Sequence, residues 1–159
     1  MIKEVSGDIL LTSAQAIAHG VAPNDHFDSG LALSLREEYP SMTKDFRHFC
    51  KVDAPEPGDA WIWGSADGKK IVNLMTQEPA TGHGHPGQAS LHNVNLALKS
   101  LAKIAKKEQL TSIAMPKLAT GVGKLDWHEV KPLIEKHLGE LNIPVFIYST
   151  FTKGQKAAE

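Results

Sequence analysis

The chain has 159 residues, 42% of them hydrophobic and 22% charged, the usage of one globular domain rather than a disordered chain. Its 17 basic and 18 acidic side chains leave a net charge of −1, too little for a global field that would hold duplex DNA or an anionic membrane. The lone Cys50 excludes an intrachain disulfide and a multi-cysteine zinc site; no apolar run spans a bilayer and MIKEVSGDIL lacks a long apolar core, so a cytoplasmic protein without a membrane partner is expected.

Short apolar runs alternate with helical patterns along the chain. Ile2–Val5, Ala16–His19, Ala60–Trp63, Lys70–Met75, Ser112–Met115 and Val145–Ser149 read as strands, several too apolar to have a wet face. A helix is expected from about Ser29 to Tyr39, stopped by Pro40, and a second after Ser41 that buries Met42, Phe46, Phe49 and Cys50. Cys50 is then core filling rather than a reactive thiol. Leu91, Val94, Leu98, Leu101 and Ala105 form a helical stripe, and Lys99, Lys103, Lys106 and Lys107 occupy the other side as a solvated face. A last helix starts at Trp127, with Asp126 as cap, Glu129 at capping-box spacing, and Val130, Leu133, Ile134 and Leu138 toward the core. Residues 152–159 (TKGQKAAE) are polar and aperiodic, so residues 1–151 are expected as one domain and 152–159 as a flexible tail.

Four loops follow apolar strands, where α/β sheets build ligand crevices. Gly7-Asp8-Ile9 places an acceptor-rich carboxylate at a strand end, suited to an exocyclic amine, although it can be only a turn. Gly20 to Ala32 (GVAPNDHFDSGLA) crowds Asn24, Asp25, His26 and Asp28 together. Ser29 and Gly30 there would let a ligand approach the amides of the following helix. Thr81 to Gln88 (TGHGHPGQ) invites a metal, but no acid or third histidine stands at ligand spacing, and a substrate-side lid is the functional alternative. Pro116 to Trp127 (PKLATGVGKLDW) fails the P-loop pattern at Leu118 and Leu125, yet keeps a loop of small residues whose amides suit a diphosphate.

Taken together, Gly7-Asp8-Ile9, Ala18-His19 leading to Gly30-Leu31-Ala32, Pro116-Lys117-Leu118, Thr120-Gly121-Val122-Gly123 and Leu125-Asp126-Trp127 resemble a macrodomain, the fold that binds ADP-ribose. The resemblance runs from Ile2 to about Phe151. It is greatest to the subclass that holds a chromatin remodeller's macrodomain, the terminal ADP-ribose glycohydrolase and bacterial antitoxins that strip ADP-ribose from DNA. It implies a three-layer α/β/α sandwich with a mixed, mainly parallel sheet. It also implies that Asp8 accepts from the adenine amine, that the Ile9 backbone completes adenine recognition, and that Tyr148 or Phe151 packs on the base. The Gly20–Ala32 loop would surround the distal ribose and one phosphate, with His19, Asn24, Ser29, Gly30 and Leu31 among the binding residues; Ala119, Thr120, Gly121, Val122 and Gly123 would supply amides to the diphosphate.

Two departures bear on chemistry. The hydrolytic members of the subclass carry a lysine after the threonine corresponding to Thr76, where this chain has Gln77. The assisting acid of the glycohydrolase corresponds to Gly123. The resemblance therefore implies an ADP-ribose binder, or a hydrolase with a different acid–base set drawn from His19, Asp25, His26 and Asp28. In that set Asp28 would be the base and His26 the acid, unless Asp28 only caps the helix at Ser29. The segment Tyr39 to Cys50 also resembles the yeast ADP-ribose-1″-phosphate phosphatase. ADP-ribose or an ADP-ribosylated macromolecule is the expected partner, and nucleic acid only where it is ADP-ribosylated. A monomer with no cofactor and no metal completes the expectation; a nucleic-acid binder using the lysine-rich helix is the remaining class.

Overall fold

Alternation along the strands sets the architecture. The computed structural model describes residues 1–82 and 87–159. Six strands form one sheet: β1 (Ile2–Gly7), β2 (Ala16–Val21), β3 (Ala60–Gly64), β4 (Lys70–Met75), β5 (Ile113–Pro116) and β6 (Val145–Phe151). Their order is β1-β6-β5-β2-β4-β3, all neighbours parallel except the edge pair β3 and β4. Ala16, Ala18, Val72, Leu74, Ile113, Met115, Val145 and Ile147 belong to one core, whereas Ile17, Val21, Ile71, Met75, Ala114, Phe146 and Tyr148 belong to the other. Both faces are apolar because both are covered, which is why these strands read as near-continuous hydrophobic runs. Helices α3 (Leu91–Lys107) and α4 (Trp127–Leu138) pack on the first core; α1 (Gly30–Glu38) and α2 (Pro40–Asp53) pack on the second. This is the expected three-layer α/β/α sandwich with a mixed, mainly parallel sheet.

The helices begin where the chain supplies acceptors for otherwise unpaired amides. In α3, Val94, Leu98, Leu101 and Ala105 are buried as their spacing predicts, and the four lysines opposite are exposed. The Ser90 hydroxyl caps α3 by accepting from Asn93 N at 3.1 Å. Ser90→Ala is expected to cost about 1 kcal/mol, read as a lower urea midpoint at unchanged m-value. Asp126 caps α4, accepting from His128 N at 2.9 Å, and that bond holds its carboxyl below the usual range.

The first helix stops before Pro40 as expected, but α2 starts earlier than expected, with Pro40 itself as its first residue, where its missing N–H is one the helix start does not use. Within α2, Met42, Phe46 and Cys50 are buried, and Phe49 stacks on Trp61 at 5.1 Å. Burial pushes the Cys50 thiol up, in keeping with core filling.

Residues 152–159 hydrogen-bond to the first residues of the chain. Asp8 N donates to the Gln155 carbonyl at 2.7 Å, Lys3 Nζ donates to the Ala158 carbonyl at 2.9 Å, and Ser13 N donates to the Glu159 carboxylate at 2.9 Å. The anchors lie about 150 positions upstream, so no local pattern in TKGQKAAE announces them.

Candidate functional site

The carboxyl ends of β2, β4, β5 and β6 surround a cavity of about 620 Å³. Residues 20–32 form one wall and residues 116–123 another. Gln77 and Ala80 after β4, with Tyr148, Ser149 and Phe151 of β6, complete the lining. A parallel sheet delivers these loops to one edge whatever their separation in sequence.

The first wall is held by an aspartate and an aromatic ring. Asp25 accepts from Ala22 N at 2.9 Å and from Phe27 N at 2.8 Å, so its carboxylate braces the loop. Phe27 is fully buried and packs against His19 (5.8 Å) and Phe46 (5.1 Å). That anchor holds a backbone in which both Asn24 (φ 60°) and Phe27 (φ 56°) are left-handed, a conformation that costs a non-glycine residue free energy. The chain enters α1 at Gly30 (φ 60°), and the Ser29 hydroxyl makes no capping bond. Among the described residues the first amides of α1 therefore have no capping side-chain acceptor, and they border the cavity at the positive end of the helix dipole.

The second wall is an amide loop. Leu125 N closes onto the Ala119 carbonyl at 3.0 Å and Lys124 N onto the Gly121 carbonyl at 3.1 Å, with left-handed Ala119 (φ 61°) and Lys124 (φ 62°) at the corners. The N–H groups of Gly121, Val122 and Gly123 have no backbone acceptor among the described residues. A Cβ added at Gly121 would meet nothing within 4 Å. At Gly123 it would lie 2.6 Å from the Ala119 carbonyl oxygen and 2.8 Å from Ala89 Cβ. Packing thus keeps a side chain, acidic or otherwise, out of position 123.

The cavity floor carries His19. It is 2% exposed, and its Nε2 lies 2.7 Å from Asn73 Oδ1, its register partner on β4. Burial pushes the imidazole down to about 4, against the opposing effects of Asn73 and Asp25, so the ring is neutral at pH 7. Gln77, also in the cavity lining, is buried, with Nε2 donating to the Gly87 carbonyl at 2.7 Å. Among the described residues the neighbouring Thr76 hydroxyl is buried without a partner, and a Cβ on Gly20 would sit 2.6 Å from it. Asp28 pairs with Arg36 Nη1 at 3.4 Å, and the same nitrogen donates to the His26 carbonyl at 3.3 Å. Ser29, not Asp28, occupies the cap position of α1.

The cavity brings together His19, His26, Asp28, Ser29, Gly30, Leu31, Ala119, Thr120, Gly121, Val122, Gly123, Tyr148 and Phe151. Three expected residues do not line it. Asn24 is exposed, with a left-handed backbone. Ile9 is 5% exposed within the second core, and Asp8 is 7% exposed with both carboxylate oxygens bonded to backbone amides. Sequence reasoning gave no ligand role to Ala80, Lys117 or Ser149, which also line the cavity. Lys117 was legible only as part of a motif; its Nζ lies 6.0 Å from the Trp127 ring centroid. His83 and His85, weighed as metal ligands or a lid, lie outside the described residues. Among the described residues no three potential ligands cluster for a metal.

Comparison with known proteins yields one family. The Macro domain family model matches residues 13–134. A DNA ADP-ribosyl glycohydrolase of Mycobacterium tuberculosis is 27% identical over 163 residues, covering all of this chain and 45% of that protein. The chain spans less than half the length of the DNA ADP-ribosyl glycohydrolases it matches. The human ADP-ribose glycohydrolase OARD1 is 20% identical over 93% of this chain and 91% of its own length. The macrodomain of Thermus aquaticus DarG superposes with a TM-score of 0.83 at 25% identity, covering 94% of this chain and 98% of that one.

Proposed function

The chain belongs to the macrodomain family, and we propose that its cavity binds ADP-ribose, free or attached to a macromolecule. One observation carries this reading. Two sets of backbone amides that have no capping or backbone acceptor among the described residues, at the start of α1 and at Gly121 to Gly123, border one cavity. Such amides suit the oxygens of a diphosphate, with no cationic side chain needed as the primary partner. The distal ribose then lies toward Asp28 and Gln77, and the adenine toward Tyr148 and the exposed Phe151. Isothermal titration is expected to give saturable binding of ADP-ribose, and weaker or no binding of ATP, NAD and RNA oligomers. Equal affinity for RNA, with steep salt dependence, would replace this reading by electrostatic nucleic-acid binding through α3.

The names of the relatives favour a second reading, removal of ADP-ribose from DNA or protein. Gln77 cannot form a covalent lysyl adduct, and its amide is committed to the Gly87 carbonyl. Any turnover therefore falls to Asp28 as base and His26 as acid, both on the cavity wall. Incubation with ADP-ribosylated DNA, ADP-ribosylated protein and ADP-ribose-1″-phosphate is expected to leave no trapped adduct. Release of ADP-ribose, if observed, is expected to vanish in the double variant Asp28→Ala, His26→Ala. Turnover surviving that variant rejects these groups, and no release on any substrate leaves a reader. A monomeric, cytoplasmic protein is part of the proposal; sedimentation and cell fractionation test it.

A further inference from the structure

Asp8, at the end of β1, meets the segment that follows β6. Its N–H donates to the Gln155 carbonyl at 2.7 Å, and its Oδ2 accepts from Gly154 N at 3.0 Å. The segment thus presents one acceptor and one donor side by side to one residue. The Watson–Crick edge of adenine presents the same pair, a ring nitrogen that accepts and an exocyclic amine that donates.

The segment is also fastened beside the cavity. The Glu159 carboxylate accepts from Ser13 N at 2.9 Å and from the hydroxyls of Thr12 and Tyr148. Tyr148 is itself part of the cavity lining. At Gly7 an added Cβ would stand 2.8 Å from the Gln155 carbonyl oxygen and 2.9 Å from Ala157 N, so the segment lies directly on the end of β1. Its attachment is almost wholly polar. Between Thr152 and Glu159 no side chain is more apolar than alanine, so little hydrophobic free energy opposes its release.

Resting on the ADP-ribose reading of the cavity, we propose that residues 152–159 are an internal surrogate for adenine. In the free protein the segment holds the hydrogen-bonding pair of Asp8, and an adenine nucleotide displaces it to reach that residue. The apparent affinity for adenine ligands is then lowered by the fraction of molecules in which the segment is docked. A ligand without a base meets no such competition.

The test titrates wild type, Glu159→Ala and Ala157→Glu with ADP-ribose, AMP and the base-free ribose 5-diphosphate. The first variant removes the carboxylate anchor; the second puts a charge where Ala157 packs against the core. Both are expected to bind ADP-ribose and AMP on the order of 3- to 10-fold more tightly than wild type, with ribose 5-diphosphate unaffected. In wild type, which needs no variant to fold, the Gly154 amide is expected to be protected from hydrogen exchange and to lose protection when ADP-ribose is added. Unchanged or weaker binding by both variants, or protection retained in the complex, overturns the surrogate while leaving ADP-ribose binding intact. Absence of ADP-ribose binding by wild type and both variants overturns the functional reading and the surrogate together.

Discussion

Gly121→Glu is expected to abolish ADP-ribose binding, whereas Gly121→Ala binds like wild type and both variants unfold at the wild-type temperature. The pair separates charge from shape. A Cβ at position 121 meets nothing within 4 Å, and the backbone there is not left-handed, so neither substitution strains the loop. The glutamate alone brings a negative charge to amides that would otherwise receive the diphosphate. Two unit charges 4 Å apart at an effective dielectric of ~20 repel by about 4 kcal/mol, well over 100-fold in affinity. The charge also offers the amides of Gly121 to Gly123 an internal acceptor, a second route to exclusion. Titration calorimetry reads the result. Wild-type affinity in the glutamate variant would mean that the diphosphate lies elsewhere, and loss in both variants would mean that the loop tolerates no side chain for mechanical reasons.

The parts of the molecule legible in the sequence are those encoded locally. Val94, Leu98, Leu101 and Ala105 repeat on a helical period, Asp126 precedes the last helix by one residue, and each buried strand is a mainly apolar run. The cavity was legible for a different reason. Parallel strands leave the loops after β2 and β5 on one edge, so Gly30 and Gly121 meet although 91 positions separate them. Illegible were the contacts that only the folded chain creates. Arg36 reaches back across the loop to Asp28, and α1 begins one residue too late for that aspartate to be its cap. The left-handed turn at Asn24 is a choice of backbone that asparagine permits without requiring. Ala89, beside Gly123, excludes a side chain there from a segment 34 residues away. The docking of residues 152–159 on Asp8 is the extreme case, since polar, aperiodic residues carry no sign of their partner.

The buried His19 makes the stability of the fold depend on pH in a defined direction. Its imidazole, lowered from about 6.5 to about 4 chiefly by desolvation, is neutral in the folded chain across a range where the unfolded chain is protonated. The unfolded state therefore binds more protons between those values, and stability falls as pH drops from about 6.5 toward 4. Above that window the contribution is fully present; below it no more is lost. A shift of this size corresponds to about 3 kcal/mol. Carboxylates also titrate in this range, so the contribution is isolated by difference. His19→Gln keeps a donor for Asn73 Oδ1 and removes the titration. Urea unfolding of the two proteins from pH 7.5 to 4 is expected to show the wild type losing about 3 kcal/mol more than the variant. Parallel curves would mean that His19 takes up its proton in the fold as readily as in the unfolded chain. In that case the ring on the cavity floor is hydrated rather than desolvated.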